Sequence, residues 1–141
     1  MHEKYILYFL SRTKKKMVNY IENQLEKNGL NDLIPSHGNI LTVLYNNGKL
    51  TMKEIANLIG RDKSTVTPLV NKLVKLGYIK KEKCQKDRRL TYITLSNKGV
   101  EIEAKYNKIS KNLLDTAYEN FTEEEQNNLL KLLKKLNNNF S

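Results

Sequence analysis

Residues 50–79, LTMKEIANLIGRDKSTVTPLVNKLVKLGYI, constrain the fold of this chain more than any other stretch. Two short segments with apolar residues at helical spacing are separated by Gly60, whose backbone freedom suits a tight turn. Asp62 follows where the N-terminal cap of a second helix is expected. The apolar positions are Ile55, Ala56 and Ile59 in the first segment, and Val66, Leu69, Val70 and Leu73 in the second. Two such helices form a helix-turn-helix pattern.

The outward positions of the second helix favour contact with nucleic acid. They carry small hydroxyls, a proline, an amide and a cation: Ser64, Thr65, Thr67, Pro68, Asn71 and Lys72. Such groups approach base edges and phosphates without steric bulk, whereas a purely structural surface helix usually carries more Glu and Lys. The pattern also arises by chance in structural helices. We expect these residues, Pro68 excepted, to lie in the major groove of DNA.

After Gly77 the apolar period changes from about 3.6 to about 2, which predicts strands at 78–79 and 91–95. They are joined by the basic connector KKEKCQKDRR, residues 80–89, which has six basic and two acidic side chains. A hairpin beside a DNA-reading helix can place arginine in the minor groove and lysines on phosphates. A solvated, charged hairpin edge that blocks strand pairing is the alternative.

The charge distribution supports a nucleic-acid-binding centre. Residues 36–99 carry thirteen basic and four acidic side chains, residues 1–35 carry six and four, and residues 100–141 carry six and seven. Clustered Lys and Arg are needed to neutralise phosphates. A non-specific architectural DNA-binding protein and a module that binds an acidic protein remain competing interpretations.

Long helices are predicted on both sides of this centre. The first spans residues 3–27, a second follows Pro35, and a third is capped by Ser96 and spans 96–120. The last opens with a capping box of Thr122 and Glu125. Its apolar face comprises Leu129, Leu132, Leu133, Leu136 and Phe140. These faces exceed what a small core covers, so a second chain is expected to cover them, with an intramolecular helical hairpin as the alternative.

The predicted fold class is therefore α+β and mostly helical. Residues 36–99 form a winged helix-turn-helix DNA-binding domain, and residues 1–35 and 100–141 form a helical dimerisation region.

Taken together, these motifs resemble the MarR family of bacterial transcriptional regulators over essentially the whole chain. The resemblance rests on the helix-turn-helix stretch, on the D-x-R motif at Asp87 to Arg89, and on LSNKG at residues 95–99. It implies a homodimer that binds double-stranded operator DNA of pseudo-palindromic sequence. The implied function is a repressor that responds to a ligand or to stress.

The resemblance also implies residue roles. Arg89 would enter or flank the minor groove, Lys86 and Arg88 would assist it, and Asp87 would brace the wing by an ion pair or backbone contacts. Pro68 stands where other members of the family carry arginine. The family often binds small aromatic or anionic effectors in a cleft. The matching candidates, which could equally be packing residues, are Tyr8, Arg12, His37 and Tyr45.

Other functions have little support in the sequence. We find no phosphate-binding loop, GxSxG motif or catalytic Cys-His pair, so neither an enzyme nor a cofactor is predicted. His37 and His2 lack ligand partners at metal spacing, and no metal is expected. The apolar run YILYFL is too short for a signal peptide or membrane span, so a cytoplasmic location is expected. Cys84, between lysines, is either an inert thiol or a redox switch.

Overall fold

The computed structural model describes residues 5–140 and is mostly helical, as predicted. The helices are α1 Ile6–Lys27, α2 Pro35–Asn47, α3 Met52–Ile59, α4 Lys63–Leu76, α5 Asn97–Glu101, α6 Glu103–Ala117 and α7 Glu123–Asn138. The strands are β1 Lys49–Thr51, β2 Ile79–Lys83 and β3 Thr91–Leu95. Two compact units are present, one ending at Ile109 and one beginning at Ser110. The start predicted for the first helix lies outside the described residues. The grouping of 1–35 with 100–141 stays a prediction.

The sheet positions the hairpin. Its strand order is β1-β3-β2, and both pairings are antiparallel. Ile93 of β3 pairs with Leu50 on one side and with Lys81 on the other. Strand β1 was not predicted, because three residues are too few to show an alternating pattern and Leu50 was assigned to the helix-turn-helix stretch. The predicted hairpin is present and β3 has the predicted bounds, but β2 runs from Ile79 to Lys83, so the first four residues of the predicted connector are strand and Tyr78 is not. The alternation was not recognised there because the outward and inward residues of 80–83 are all charged.

The core forms where α2, α3 and α4 meet the sheet. The apolar face predicted for α4 is largely buried: Val70 and Leu73 are fully buried, and Leu69 packs against the core from its edge. The other core residues of this lobe include Ile40, Leu41 and Leu44 of α2, Ile55 of α3, and the strand residues Ile79 and Ile93. Because one face of α4 is buried in this way, its opposite face is left to the solvent.

Local signals fix the ends of the two short helices. Thr51 and Glu54 form a capping box: the Thr51 hydroxyl accepts from the Glu54 N–H at 3.2 Å, and the Glu54 carboxylate accepts from the Thr51 N–H at 3.1 Å. Gly60 has φ of 75°, which confirms the tight turn. Asp62 is the N-cap residue of α4, although its side chain makes no capping hydrogen bond.

The helix predicted over residues 96–120 is interrupted, so that prediction was wrong in part. The Ser96 side chain accepts from the Gly99 N–H at 3.2 Å and donates to the Gly77 carbonyl, as the predicted cap of a short helix, α5. These contacts tie α5 to the turn that precedes β2. The helix is interrupted at Ile102, the residue that follows α5. The side chain of Ile102 is buried in the core.

The second unit contains the end of α6 and all of α7. Thr122 and Glu125 make the predicted capping box, with bonds of 2.9 and 3.1 Å between each side chain and the other residue's N–H. Lys111 and Asp115 form an ion pair at 2.7 Å. The large apolar side chains of α7 are mostly exposed in the single chain, and Leu132 retains 60% of its accessible surface.

No helix among residues 5–140 combines the length and the apolar character needed to span a membrane.

Gly99 provides a test of the way α5 docks. A Cβ atom added at this position would overlap the backbone carbonyl oxygen of Tyr78, which cannot rotate away. We expect Gly99→Ala to lower the free energy of unfolding by about 1–3 kcal/mol, although alanine favours a helix more than glycine does. Urea denaturation measures this. Val100→Ala, at the next and exposed position, is the control. A Gly99→Ala protein as stable as the original would contradict the close approach.

Candidate nucleic-acid interface

The exposed face of α4 presents the side chains predicted to contact DNA. Ser64, Thr65, Asn71 and Lys72 are exposed, whereas Thr67 is half-buried. The Thr67 hydroxyl donates to the Lys63 carbonyl at 2.7 Å, so its proton is used within the helix and its oxygen lone pairs remain as acceptors. The structure therefore gathers these residues on the helix, with Thr67 the most restricted of them.

Pro68 lies inside α4 without ending it. The helix continues for eight residues, to Leu76. Proline has no N–H to offer the Ser64 carbonyl, which is the bond expected at this spacing. The position next to the predicted base-contacting residues is thus filled by a small apolar ring on the exposed face. Pro68 cannot extend from the helix or donate a hydrogen bond as a long basic side chain could.

Asn71 is joined to the wing. The Lys81 Nζ atom donates to the Asn71 Oδ1 atom at 2.8 Å, and both side chains are exposed. Lys81 belongs to β2 and shares a face of the sheet with Ile79 and Ile93, because side chains alternate along a strand. This bond is a polar connection between the second helix of the helix-turn-helix and the hairpin.

The wing loop is organised by Asp87. Its Oδ1 atom accepts from the Arg89 backbone N–H at 3.1 Å and from Nε at 3.0 Å, and its Oδ2 atom accepts from Nη2 at 3.1 Å. The Arg89 side-chain and backbone hydrogen bonds lower the pKa of the Asp87 carboxyl. Asp87 thus makes both the ion pair and the backbone contact expected from the D-x-R motif. The Arg89 side chain remains 90% exposed, beyond the loop.

The remaining wing charges point outward. Lys86 and Arg88 are exposed in the loop, and the Cys84 N–H donates to the Leu90 carbonyl at 3.0 Å to close its base. On the other face of β2, Lys80 and Glu82 form an ion pair at 3.7 Å. Two of the six cations in residues 80–89 therefore have carboxylate partners, and the wing keeps a net positive charge that suits phosphate.

The four residues proposed for an effector cleft lie in two places. Tyr8 and Arg12 are exposed on α1, where the Arg12 Nη1 atom donates to the Tyr8 hydroxyl at 2.7 Å. Tyr45 is half-buried in α2, and its hydroxyl donates to the Gly99 carbonyl at 2.7 Å. His37 is only 2% exposed, so it does not line an open cleft in the single chain. Burial raises the pKa of Tyr45, so its hydroxyl stays protonated and remains a donor well above neutral pH.

His37 closes the N-terminus of α2. Its Nδ1 atom accepts from the Ile34 N–H at 3.1 Å, which requires the neutral imidazole, because a protonated ring has no acceptor nitrogen. Burial lowers the pKa of His37, and the charge of Lys72 lowers it further, while Asp32 opposes the shift. His37 is thus a packed histidine, which the sequence left as the alternative to an effector contact, and it also caps α2.

The lowered pKa of His37 predicts a pH dependence of stability. Below about pH 6.5, the usual histidine pKa, the unfolded chain binds a proton at this site more readily than the folded chain, so folding stability falls as pH falls. His37→Gln should remove that contribution, because glutamine at this helix position can accept the same N–H bond without titrating. Thermal unfolding of both proteins at pH 8 and pH 5.5 measures it. Equal losses in the two proteins would exclude a contribution from His37.

Cys84 lies in the wing, apart from any cluster of metal-ligating side chains among the described residues. Cys84 is a half-buried free thiol directly after β2, in the wing as expected. In residues 5–140, no three His, Cys, Asp or Glu side chains are grouped so that they could hold a metal ion. His2 lies outside these residues. The role of Cys84 as a redox switch stays a prediction.

Sequence reasoning missed the position of Lys81. It was placed among the wing lysines expected on phosphates, and its bond to Asn71 was not foreseen. The alternation from Ile79 was available in the sequence and puts Lys81 on the buried side of the strand, toward the helices. Which helical residue it meets depends on how α4 packs on the sheet, which no local pattern reveals.

Comparison with known proteins agrees with this fold. A family model described as the MarR family matches residues 31–90. The HTH-type transcriptional regulator SarZ of Staphylococcus haemolyticus is 29% identical over 138 residues, covering 96% of this chain and 89% of that protein. YwhA of Bacillus subtilis, also an HTH-type transcriptional regulator, is 31% identical over 108 residues, covering 73% and 78%. The S. aureus MepR-DNA complex has a TM-score of 0.84 at 22% identity, covering 99% of this chain and 100% of that chain.

A helix-turn-helix whose second helix lies beside a β-hairpin defines a winged helix-turn-helix protein. The sequence relatives narrow the class further. The chain belongs to the MarR family of transcriptional regulators, which the resemblance had indicated, and it is not an enzyme.

Proposed function

We propose that this regulator binds double-stranded operator DNA of pseudo-palindromic sequence as a homodimer, acting as a repressor that an effector or stress relieves. The observation that carries the proposal is that two elements joined by the Lys81–Asn71 bond both expose suitable side chains. Helix α4 exposes Ser64, Thr65 and Asn71, and the wing exposes Arg89, which Asp87 holds. Hydroxyl and amide groups suit base edges in the major groove, and arginine suits the narrow minor groove. A relative of the same fold has been solved with DNA. The site of action is the cytoplasm, where bacterial operators lie.

The exposed apolar surface supports the homodimer. Leu132 and Leu130 of α7 are 60% and 48% exposed, and Leu7 of α1 is 78% exposed. Helical faces of this kind usually pack against another chain in a soluble protein. Two copies related by a two-fold axis would present two α4 helices to successive turns of DNA, which gives the operator its inverted repeat.

The effector is proposed to be a small aromatic or anionic molecule. Tyr8 and Arg12 support this, because they offer an exposed ring and an exposed guanidinium on adjacent turns of α1. A carboxylate can pair with the guanidinium while an aromatic body packs on the ring. Tyr45 and His37 lie apart from this pair and are left out of the proposed effector contact.

Selection of bound sequences from a random duplex library at near-physiological salt tests the function. An enriched inverted repeat with half-sites about one helical turn apart is expected. Uniform binding of every sequence would favour an architectural protein, and no binding would favour a protein-interaction module or an effector already bound.

Arg89→Ala should weaken operator binding by about 1–3 kcal/mol, because it removes the arginine that the wing presents. Equilibrium binding to the selected duplex measures the loss. Lys27→Ala removes one positive charge at the end of α1, outside the proposed contacts, and is the matched control. Circular dichroism should show both variants folded, since the Arg89 side chain is almost fully exposed. Unchanged affinity of the Arg89→Ala protein would remove this residue from the interface.

Leu132→Glu should shift the protein from twice 16.5 kDa to 16.5 kDa in light scattering, because a charge cannot be buried unpaired between two helices. Asn127→Glu adds the same charge at an exposed polar position of α7 and should leave the mass unchanged. A dimer that survives Leu132→Glu would mean that this leucine lies outside the dimer interface.

A further inference from the structure

The amide group of Asn71 has a defined orientation in the free protein. Its Oδ1 atom faces the Lys81 Nζ atom at 2.8 Å. A lysine ammonium can only donate hydrogen bonds, so the carbonyl oxygen, and not the NH2 group, must face it. The NH2 group is then the part of the amide that is free to meet a base.

This orientation restricts which bases Asn71 can read. The two-bond pairing of asparagine with adenine requires the oxygen and the nitrogen to face the base together. Adenine N7 can accept from the NH2 group, but the positively polarised N6 amino group, which needs the remaining lone pair of the oxygen, is disfavoured beside the Lys81 ammonium at 2.8 Å. Guanine presents two neighbouring acceptors, N7 and O6, and thymine presents O4, so both suit an outward NH2 group. Cytosine offers a donor at the same edge and does not.

We propose that Lys81 is a positioning residue that fixes the amide of Asn71, so that this position of the operator half-site is read as guanine or thymine rather than adenine. The inference rests on the proposed function, because it concerns the specificity of the same DNA-binding surface. It assigns Lys81 a role in base selection, which differs from the phosphate contact expected of a wing lysine.

Among the lysines of β2, Lys81 is the one placed to contact Asn71, because of its position in the sheet. Lys81 pairs with Ile93 and lies on the α4 side of the hairpin, while Lys80 pairs with Thr94 on the opposite side and is held by Glu82. Lys83 lies two residues after Lys81 on β2 and therefore on the same face of the sheet. In residues 5–140, Lys83 makes no hydrogen bond to α4, so it serves as a matched control.

The bond is exposed in the free protein, where water competes with it and its contribution to stability is small. DNA binding would exclude that water, and a hydrogen bond to a charged donor becomes stronger in a less polar setting. The bond therefore acts mainly when the interface closes, which is when the base is selected.

The bond can be tested without DNA. In the full-length 15N-labelled protein, the side-chain NH2 resonances of Asn71 are assigned by their loss in Asn71→Ala. Lys81→Met keeps most of the aliphatic stem and removes the ammonium, so it should shift these resonances. Lys83→Met should leave them in place. Identical Asn71 resonances in the original protein and in Lys81→Met would overturn the proposal.

The second test measures base preference. The half-site position read by Asn71 is the one whose preference disappears in Asn71→Ala, and duplexes carrying each of the four bases there are compared by equilibrium binding. We expect the original protein to favour guanine or thymine, and Lys81→Met to improve adenine relative to them by about fivefold or more. Lys83→Met should weaken all four duplexes equally and lower the salt dependence by about one phosphate contact.

The outcomes separate this proposal from the function on which it rests. If Lys81→Met also weakens all four duplexes equally, Lys81 only contacts phosphate and the positioning role is wrong, while the proposed function stands. An adenine preference in the original protein would have the same meaning. If the original protein selects no sequence at all, the proposed function fails, and the base-reading role fails with it.

Discussion

The register between β2 and β3 is the constraint on which the interface depends. Pairing of Lys81 with Ile93 sends Ile79 into the core and turns Lys81 toward α4. A slip of one residue would exchange the two faces of β2, exposing Ile79 and placing Glu82 against the helix. The burial of Ile79 and Ile93 holds the register, so apolar packing in the core decides which wing lysine meets α4.

The same hairpin explains how so many like charges can occupy residues 80–89. Each acidic residue of this stretch is used locally: Glu82 pairs with Lys80, and Asp87 holds Arg89. Asp87 also receives the Arg89 backbone N–H, so it shapes the loop as well as moderating its charge. The remaining positive charge is repulsive in the free protein and is relieved when an anionic surface such as DNA supplies counter-charge.

Much of the fold was predictable because its signals are local. The apolar period and Gly60 set the helix-turn-helix, and the capping box of Thr122 and Glu125 set the start of α7. Strand β1 was missed because it exists only through its pairing with β3. The interruption at Ile102 was missed because it follows from the attachment of α5 to the turn before β2, which is a tertiary contact.

In the candidate site, too, local features were predictable from the sequence and tertiary contacts were not. The exposure of the α4 residues could be predicted from the sequence, since a helix face is a local feature, and the contacts of Asp87 were implied by the family resemblance of its D-x-R motif. His37 was assigned two possible roles because a histidine three residues after an N-cap resembles neither a standard capping box nor a ligand set; its bond to Ile34 and its burial distinguish them. The bond between Lys81 and Asn71 joins residues ten apart, through a strand and a helix, and needs the packed structure to be seen.

Stability and recognition therefore depend on different parts of this molecule. The buried residues of α2, α3, α4 and the sheet supply the apolar burial that stabilises the fold. The bonds from Lys81 to Asn71 and from Arg89 to Asp87 are exposed, and such bonds add little to the free energy of folding. In the proposed interface they would hold flexible side chains in defined positions before DNA arrives, which would reduce the conformational entropy lost on binding. Changes at these bonds should consequently alter affinity and base preference while leaving the fold intact.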